Sequence, residues 1–502
     1  MAQIANIKTQ VLQQVYDPQG IIDETNFYKS NMGKPSQLSS KVTWLLGNEM
    51  FPILYSTEGM IFDYSKGTEK KGNVKELDDI QYEYPVITRT DKAAEIAVSS
   101  FTSTDRPGIG NSTFQIILTD NWIKRNYLIE TPRRIQLMVQ DDPTPVAQGY
   151  AYNVKIDPAD ATTFCPPSEL VSGTLIVQLH TINPESYSRG TESTRVAPGK
   201  LKNQMTVLRK SHHWAGNASQ MIMNATISID GKEYTNWMDW DMWQFEYKWA
   251  LEKENAIWYS RYNREVDSTI ELKDIISGRV IPRGSGILEQ IPNYYTYSKL
   301  TFKKLQQVIR EALFGQGDMK GKTITLYTGT GGFQEFNNAL KQGGYTEVVP
   351  AQTLLDNKFV TGTGYDLTLS GYFNAFYHID GYFIKVKKTD FFDKGTRAMN
   401  SPLHPETNLP LESYRMVFID DNDYDGQPNL QYVTQKGRQM LHGVTVGLTN
   451  MPKSYEIIKS GSDNLMNLST DVDKSGYHRL SVCGVQIMRA TGCIHLECTA
   501  GF

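Results

Sequence analysis

Four stretches of the chain carry residue types and spacings that could do chemistry. The first is Gly321-Lys322-Thr323, which ends like a phosphate-binding loop of the form G-x-x-x-x-G-K-[ST]. In such a loop backbone amides cradle phosphates and the lysine reaches the outer ones. Here the required first glycine falls at Gln316, with Gly315 and Gly317 out of register. The order is also reversed: the segment follows a helical pattern and enters a strand, whereas phosphate needs the amides of a helix N-terminus. The second stretch, Gly329-Thr330-Gly331-Gly332, does run from strand to helix. A dinucleotide fingerprint would need a further glycine where Gln334 stands, and no clear βαβ unit with an acidic ribose partner follows. This turn reads as structural.

The third stretch, Asp421-Asn422-Asp423-Tyr424-Asp425-Gly426, alternates oxygen ligands before a glycine, like the first half of a calcium loop. The bidentate acid expected at the twelfth position is replaced by Tyr432. An acidic turn between a strand ending at Ile419 and the run Leu430 to Val433 accounts for it, and cation binding by Asp421, Asp423 and Asp425 stays open. The fourth set is Cys483, Cys493, His495 and Cys498. These are zinc-ligand types, but in strand-like runs rather than on a knuckle, where cysteine is usually a small buried hydrophobe. There is no G-x-S-x-G and no H-E-x-x-H, and Ser285 between two glycines has no local support. The expectation is no catalytic, cofactor-binding or metal-binding residue, no cofactor, and no enzyme.

The elements around these stretches are more informative. Residues 235–262 hold Trp237, Trp240, Trp243, Trp249 and Trp258, five of the eight tryptophans, with no Gly or Pro between them. Trp237, Trp240, Trp243, Tyr247, Leu251 and Trp258 recur at helical spacing, flanked by Met238, Met242, Phe245 and Trp249. The pattern predicts a helix about 42 Å long, capped by Thr235 or Asn236. Asp239, Glu246 and Lys253 are expected on its far side.

Before it, Phe114 to Leu118, Arg134 to Gln140, Gly149 to Ile156 and Thr174 to Ile182 read as strands. The turn Asp142 to Pro145 joins two of them as a hairpin. The polar stretch between Ser99 and Thr113 reads as the tip of an extended hairpin projecting from the body, or as a surface loop. From Ser193 to Ile229 there is no Asp or Glu, but there are Arg195, Lys200, Lys202, Arg209, Lys210, His212 and His213. This basic run reads as a solvated loop pairing with acidic neighbours, or as a phosphate-contacting face. After the long helix, 266–300 reads as an irregular connector. Then come a helix at Phe302 to Leu313, a strand at Thr323 to Tyr327 and a helix at Phe333 to Leu340. Strands follow at Tyr382 to Val386, Arg415 to Ile419, Leu480 to Met488 and Cys493 to Cys498. The fold class is α+β.

With 39% hydrophobic and 21% charged residues and a net charge of −4, the chain has a soluble globular composition and no global attraction to nucleic acid or membrane. No signal sequence or membrane span is expected, and four cysteines suit a reducing compartment. The 28 Tyr, 19 Phe and 8 Trp point instead to large contact surfaces.

Several stretches in order resemble the major capsid proteins of tailed bacteriophages, especially those of crAss-like phages infecting Bacteroidales. They are YEYPVITRTDKAAEIAVSSF, NSTFQIILTDNWIKRNYLI, QGYAYNVKI, TNWMDWDMWQFEYKWAL, ITLYTGTGGFQEFNNALK, YFNAFYHIDGYFIKV and YRMVFIDDNDYDGQPNLQYVTQKGR. They span most of residues 76–440. The resemblance implies the Hong Kong 97-type capsid fold. On that reading 1–75 is an N-terminal arm and 76–160 the extended E-loop region. Residues 161–320 are the peripheral domain with its spine helix 235–262, and 321–502 the axial domain with strands returning to the peripheral one. The length implies an inserted subdomain, in 160–234 or 345–415.

The function implied is self-assembly into hexamers and pentamers of an icosahedral head around double-stranded DNA, in the bacterial host cytoplasm. The partners implied are copies of the chain, a separate scaffold, portal and head-decoration proteins, and DNA bound without sequence specificity; no membrane is involved. Two alternatives remain: a tail or adsorption protein binding carbohydrate, and a nucleotide-dependent enzyme using the Gly329 turn.

Overall fold

The computed structural model describes residues 21–34, 41, 62–63, 68–69, 74–87, 93–157, 160–186, 190, 197–229, 232–313, 322–343, 348–350, 375–378, 383–424, 426–448 and 465–499. Most of the expected arm, including Val42 to Tyr55, lies outside these residues, as do Arg195, Gly321 and Asp425. The chain forms two compact units, Glu83–Leu201 and a larger one made of Met1–Tyr82 with Lys202–Phe502.

The smaller unit is a closed antiparallel barrel. Its strands are β1 (Ala93–Val98), β2 (Phe114–Leu118), β3 (Tyr127–Glu130), β4 (Gln136–Val139), β5 (Gly149–Ile156) and β6 (Leu175–Thr181). They pair in the ring β1–β2–β5–β4–β3–β6 and back to β1, with the short strand Thr144–Val146 added beside β5. Alternate residues point inward, as period-two strands require. Ile96, Ile116, Leu118, Ile129, Leu137, Val139, Tyr152, Val154 and Ile176 fill the interior.

The stretch Ser99 to Thr113 is not a projecting tip. Phe101 packs on the barrel core, edge-on to Phe114 at 5.8 Å. The Pro107 carbonyl accepts from the Cys165 amide at 2.9 Å, and Pro107 and Gly108 are buried. Gly108 sits at φ +84°, where a Cβ would lie 2.4 Å from Ile156, so the loop is folded onto the barrel by apolar contact that its polar composition hid.

In the larger unit one helix organises two sheets. This helix, α1 (Trp237–Tyr259), spans about 34 Å at ~1.5 Å per residue. The Asn236 side chain caps it by accepting from the Met238 amide at 2.9 Å. The first sheet is built on β16 (Lys474–Ile487). Along one edge of β16 lies β7 (Thr206–Ala215), registered from Thr206 opposite Cys483 to Ala215 opposite Lys474. Along the other edge lie β13 (Leu430–Gln435) and β14 (Leu441–Val446). Strand Val74–Leu77 and β15 (Leu465–Ser469) extend these in parallel.

The second sheet is mixed. Its order is β8 (Asn293–Tyr297), β17 (Ile494–Cys498), β12 (Met416–Asp420), β9 (Thr323–Thr328), β11 (Phe383–Lys388), β10 (Ala375–His378) and strand Val348–Pro350. Helices α2 (Phe302–Leu313) and α3 (Thr330–Gly343) pack on it through Leu305, Val308, Ile309, Phe336 and Leu340.

The first half of α1 puts Trp237, Met238, Trp240, Met242 and Phe245 into a core with Phe27, Trp214, Met221, Val444 and Tyr477. The second half puts Ile257 and Trp258 into a different core, with Ile287, Tyr327, Phe392, Val417, Ile419, Cys483 and Ile487 from both sheets. Buried residues therefore run round the helix rather than along one stripe. Glu246 and Lys253 are not on a far side: Glu246 is paired with Arg479 of β16 at 2.6 Å, and Lys253 lies over the Tyr432 ring at 5.7 Å. The helix is contacted on several sides, so its charges reach partners inside the unit instead of solvent.

Trp258 is fully buried, with Phe392 and Tyr327 edge-on at 5.3 and 5.9 Å. Trp243 lies partly exposed, stacked on Trp240 at 5.0 Å. Trp258→Ala is expected to cost about 3–5 kcal/mol in chemical denaturation, and Trp243→Ala less than half of that. Equal losses would show that the junction of the two sheets does not depend on Trp258.

Candidate functional site

The glycine turn after β9 is closed by its neighbours. Asp393 accepts from the Thr330 amide at 2.8 Å and from the Thr330 hydroxyl at 2.6 Å. The Ser413 hydroxyl donates to the same carboxylate at 2.5 Å and accepts from the Gly331 amide at 2.8 Å. A Cβ on Gly329 would lie 2.6 Å from Asp393, and one on Gly331 2.6 Å from the Tyr414 ring. A carboxylate and packed side chains thus occupy the α3 N-terminus where a phosphate would sit. Lys322 lies over the Tyr424 ring at 4.4 Å, at the start of a strand.

The acidic turn is held by its own side chains. Asp420 accepts from Asn422 and from the Tyr424 hydroxyl, and Arg489 covers the Tyr424 ring at 4.0 Å. Asp421 is exposed at its surface and takes a hydrogen bond from the Thr325 side chain. Asp423 points to solvent in a two-residue strand paired with Gln427–Pro428. Among the described residues no group of three or more His, Cys, Asp or Glu side chains converges as a metal site. All four cysteines are buried free thiols; burial pushes Cys493 up to about 12. Cys483 and Cys493 lie in one core and Cys498 in another, so the set is not brought together.

The basic run is a strand, not a loop. Over β7 the alternate residues Lys210, His212 and Trp214 turn toward α1, where Lys210 pairs with Glu252 at 2.5 Å and His212 with Asp241 at 2.5 Å. Lys200 pairs with Glu83. Lys202 and Arg209 are exposed and form no ion pair among the described residues.

The densest charge cluster was not singled out by sequence reasoning. Arg415, just ahead of β12, is buried and donates to both Glu412 oxygens, at 2.7 and 2.9 Å, and to Glu497 at 2.8 Å. It also meets His495 Nε2. The Tyr259 hydroxyl at the end of α1 donates to Glu412 at 2.8 Å, and the Tyr294 hydroxyl to Glu497 at 2.7 Å. Burial works against the Arg415 charge, but Glu412 and Glu497 more than restore it. The network ties α1 to β8, β12 and β17. It is a positioning device: a cation, two acids and a neutral imidazole whose hydrogen bonds are spent on one another.

No protein of curated function matches the chain in sequence. The Crassvirus major capsid protein family model matches residues 5–501. The chain belongs to that family. It is a structural protein of the bacteriophage capsid, and the family is one of shell proteins rather than enzymes. A carbohydrate-binding tail protein is not favoured. Among solved structures, the capsid of cyanophage Pam1 is similar at 9% identity and TM-score 0.32, over 64% of this chain and 83% of that one. The mature capsid of bacteriophage PhiM1 is similar at 11% identity and TM-score 0.29, over 64% and 79%. The SrpI encapsulin complex of Synechococcus elongatus is similar at 7% identity and TM-score 0.30, over 60% and 75%. Similarities of this size carry no argument about function; the family match does. No helix among the described residues of the capsid protein is long and apolar enough to cross a membrane.

The capsid protein's buried histidines make its stability depend on pH. Burial, then Arg415, holds His495 down to about 4 from its ordinary 6.5. Between those values the unfolded chain binds a proton that the native one refuses. Stability is therefore full above about pH 6.5 and falls as pH drops toward 4, by about 1.4 kcal/mol per pH unit for this group. His495→Gln keeps an acceptor for Arg415 and removes the titration. It should flatten the slope of urea stability between pH 6.5 and 4 by about that amount; an unchanged slope would place the acid sensitivity elsewhere.

Proposed function

We propose that the chain assembles into hexameric and pentameric capsomers that close an icosahedral head around double-stranded phage DNA. The observation that carries this is the family match over residues 5–501. In this reading the subunit has the Hong Kong 97-type arrangement. Residues 1–75 are the arm, 76–160 the E-loop region, 161–320 the peripheral domain and 321–502 the axial domain with strands returning to the peripheral one. A helix shared between two cores and two sheets, as α1 is, suits the role of spine. The compact barrel of Glu83–Leu201, which begins in the E-loop region and overlaps 160–234 up to Leu201, supports an inserted subdomain there rather than in 345–415. A separate scaffold, a portal and head-decoration proteins complete the assembly in the host cytoplasm. Shell closure by many modest contacts repeated by symmetry is compatible with a net charge of only −4, which limits repulsion between copies.

Electron microscopy of the purified protein, alone and co-expressed with a scaffold candidate, tests the reading. Rings of five or six subunits or closed shells are expected. A dispersed monomer or a trimeric rod under both conditions would overturn it.

DNA would be met through its phosphates. Lys202 and Arg209 are the lysine and arginine of the basic run not committed to ion pairs among the described residues, and in this reading they face the genome. Lys202→Gln with Arg209→Gln is expected to lower DNA content per particle while leaving the unfolding midpoint unchanged. Normal genome content would remove β7 from the DNA-facing surface.

A further inference from the structure

Between α1 and the helical turn Ile287–Gln290 the chain makes a hairpin excursion over residues 263–283. Its base is clamped by Asn263, whose side chain accepts from the Arg283 amide at 2.9 Å and donates to the Ile281 carbonyl at 2.8 Å. Its arms are joined by Ile281 to Leu272 at 2.9 Å and by Asp274 to Arg279 at 2.8 Å. At the tip the Asp274 carboxylate accepts from the Ser277 amide and hydroxyl at 2.8 and 2.5 Å, and Gly278 turns the chain at φ +66°. The turn is built, and what it presents is apolar: Ile275 is 100% exposed and Ile276 96%. A hydrogen-bonded loop that holds two isoleucines in water presents an apolar contact surface for a partner.

A matching surface lies on the barrel. Along β6 the inward residue Ile176 is fully buried, while Leu175, Val177 and Leu179 stand outward at 56%, 43% and 41% exposure. Three aliphatic side chains at alternate positions make one stripe. The residue opposite Leu175 is Glu95 and the one opposite Val177 is Glu130, so acids flank the stripe. Lys273 and Arg279 flank the isoleucine tip, and the one carboxylate between them, Asp274, is turned back onto Ser277, so bases are the charges the plug offers outward. The two patches complement each other in shape class and in charge.

We propose that the Ile275-Ile276 tip of one copy seats on the Leu175, Val177 and Leu179 stripe of a second copy, with Lys273 and Arg279 against Glu95 and Glu130. The two patches differ, so the contact is head-to-tail, the kind that closes rings when repeated. The occupant is a second copy because a shell subunit meets its own copies at high density and because the charges match; this rests on the shell-forming reading above. The charged rim would set register and partner choice, and the aliphatic centre would supply the adhesion.

The test uses the full chain with Ile275→Cys and Val177→Cys together, since all four native thiols are buried. Mild oxidation of assembled particles should give a ladder of linked subunits on a non-reducing gel, and each single variant should give none. Unlinked monomers, a link within one chain, or dimers from Ile275→Cys alone would each overturn the contact. In parallel, Ile275→Asp with Ile276→Asp should abolish shell formation while leaving the unfolding midpoint unchanged, because the tip is exposed; normal shells from this variant would also overturn it. Wild-type shells without a ladder sink only this contact. Failure of the wild type to form any shell would remove the shell-forming reading, and the contact with it.

Discussion

The larger unit depends on burying one aromatic helix on several sides. An amphipathic surface helix hides a stripe; a helix apolar around its circumference is stable only where several elements cover it. Helix α1 meets that demand by serving two cores in succession, and each end recruits different strands. Large aromatic rings bury far more area per residue than aliphatic side chains. Placing Trp237, Trp240, Trp249 and Trp258 on one rod therefore concentrates much of the unit's cohesion there. The price is that any charge on the rod must find a partner inside. Glu246 does so through a two-pronged bond to Arg479, which also fixes the helix's rotation against β16.

The Arg415 network solves the same problem at the helix's far end. Buried ion pairs stabilise little compared with apolar packing, because desolvation offsets much of the attraction. Their use is geometric. Arg415 can satisfy Glu412 and Glu497 together only when the end of α1, β8, β12 and β17 stand in one arrangement. A structural subunit that must present the same surfaces in every copy gains more from that uniqueness than from added stability. The packed turn at Gly329 works likewise: Asp393 and Ser413 spend the helix N-terminus on the fold itself.

Much of this was legible in the sequence where one period dominated. Phe302–Leu313 has the bounds its apolar spacing predicts, and α1 is shorter than 235–262 because Thr235 and Asn236 end a strand and the chain turns extended at Ser260. Phe114–Leu118 and Gly149–Ile156 likewise begin and end where their β-branched and aromatic runs do. The failures share a cause. Strand β7 was hidden because its inward positions carry Lys210 and His212, which look solvated until Glu252 and Asp241 are brought to them. Strand β16 begins at Lys474, six residues before its apolar run, because β7 and β14 flank a stretch of small and polar residues there. Ring closure of the barrel was invisible because it depends on β2 meeting β5 across more than 30 positions of chain. For the candidate sites, local spacing read the glycine turn as structural, and Asp393 and Ser413 are the groups its amides meet. The Arg415 cluster draws on residues from Tyr259 to Glu497, a separation no motif can report.

The closed ring of β1 to β6 has one more consequence. A sheet that ends in an open strand offers unpaired backbone groups to any neighbour, and pairing of that kind has no natural stopping point. In the shell-forming reading many copies of this subunit crowd together, the condition under which runaway strand addition leads to fibres instead of shells. In the barrel each of the six strands has a partner on both sides, so its backbone is largely spent. Neighbours are left to recognise it through side chains. The barrel can then sit exposed at high crowding without becoming a seed for polymerisation.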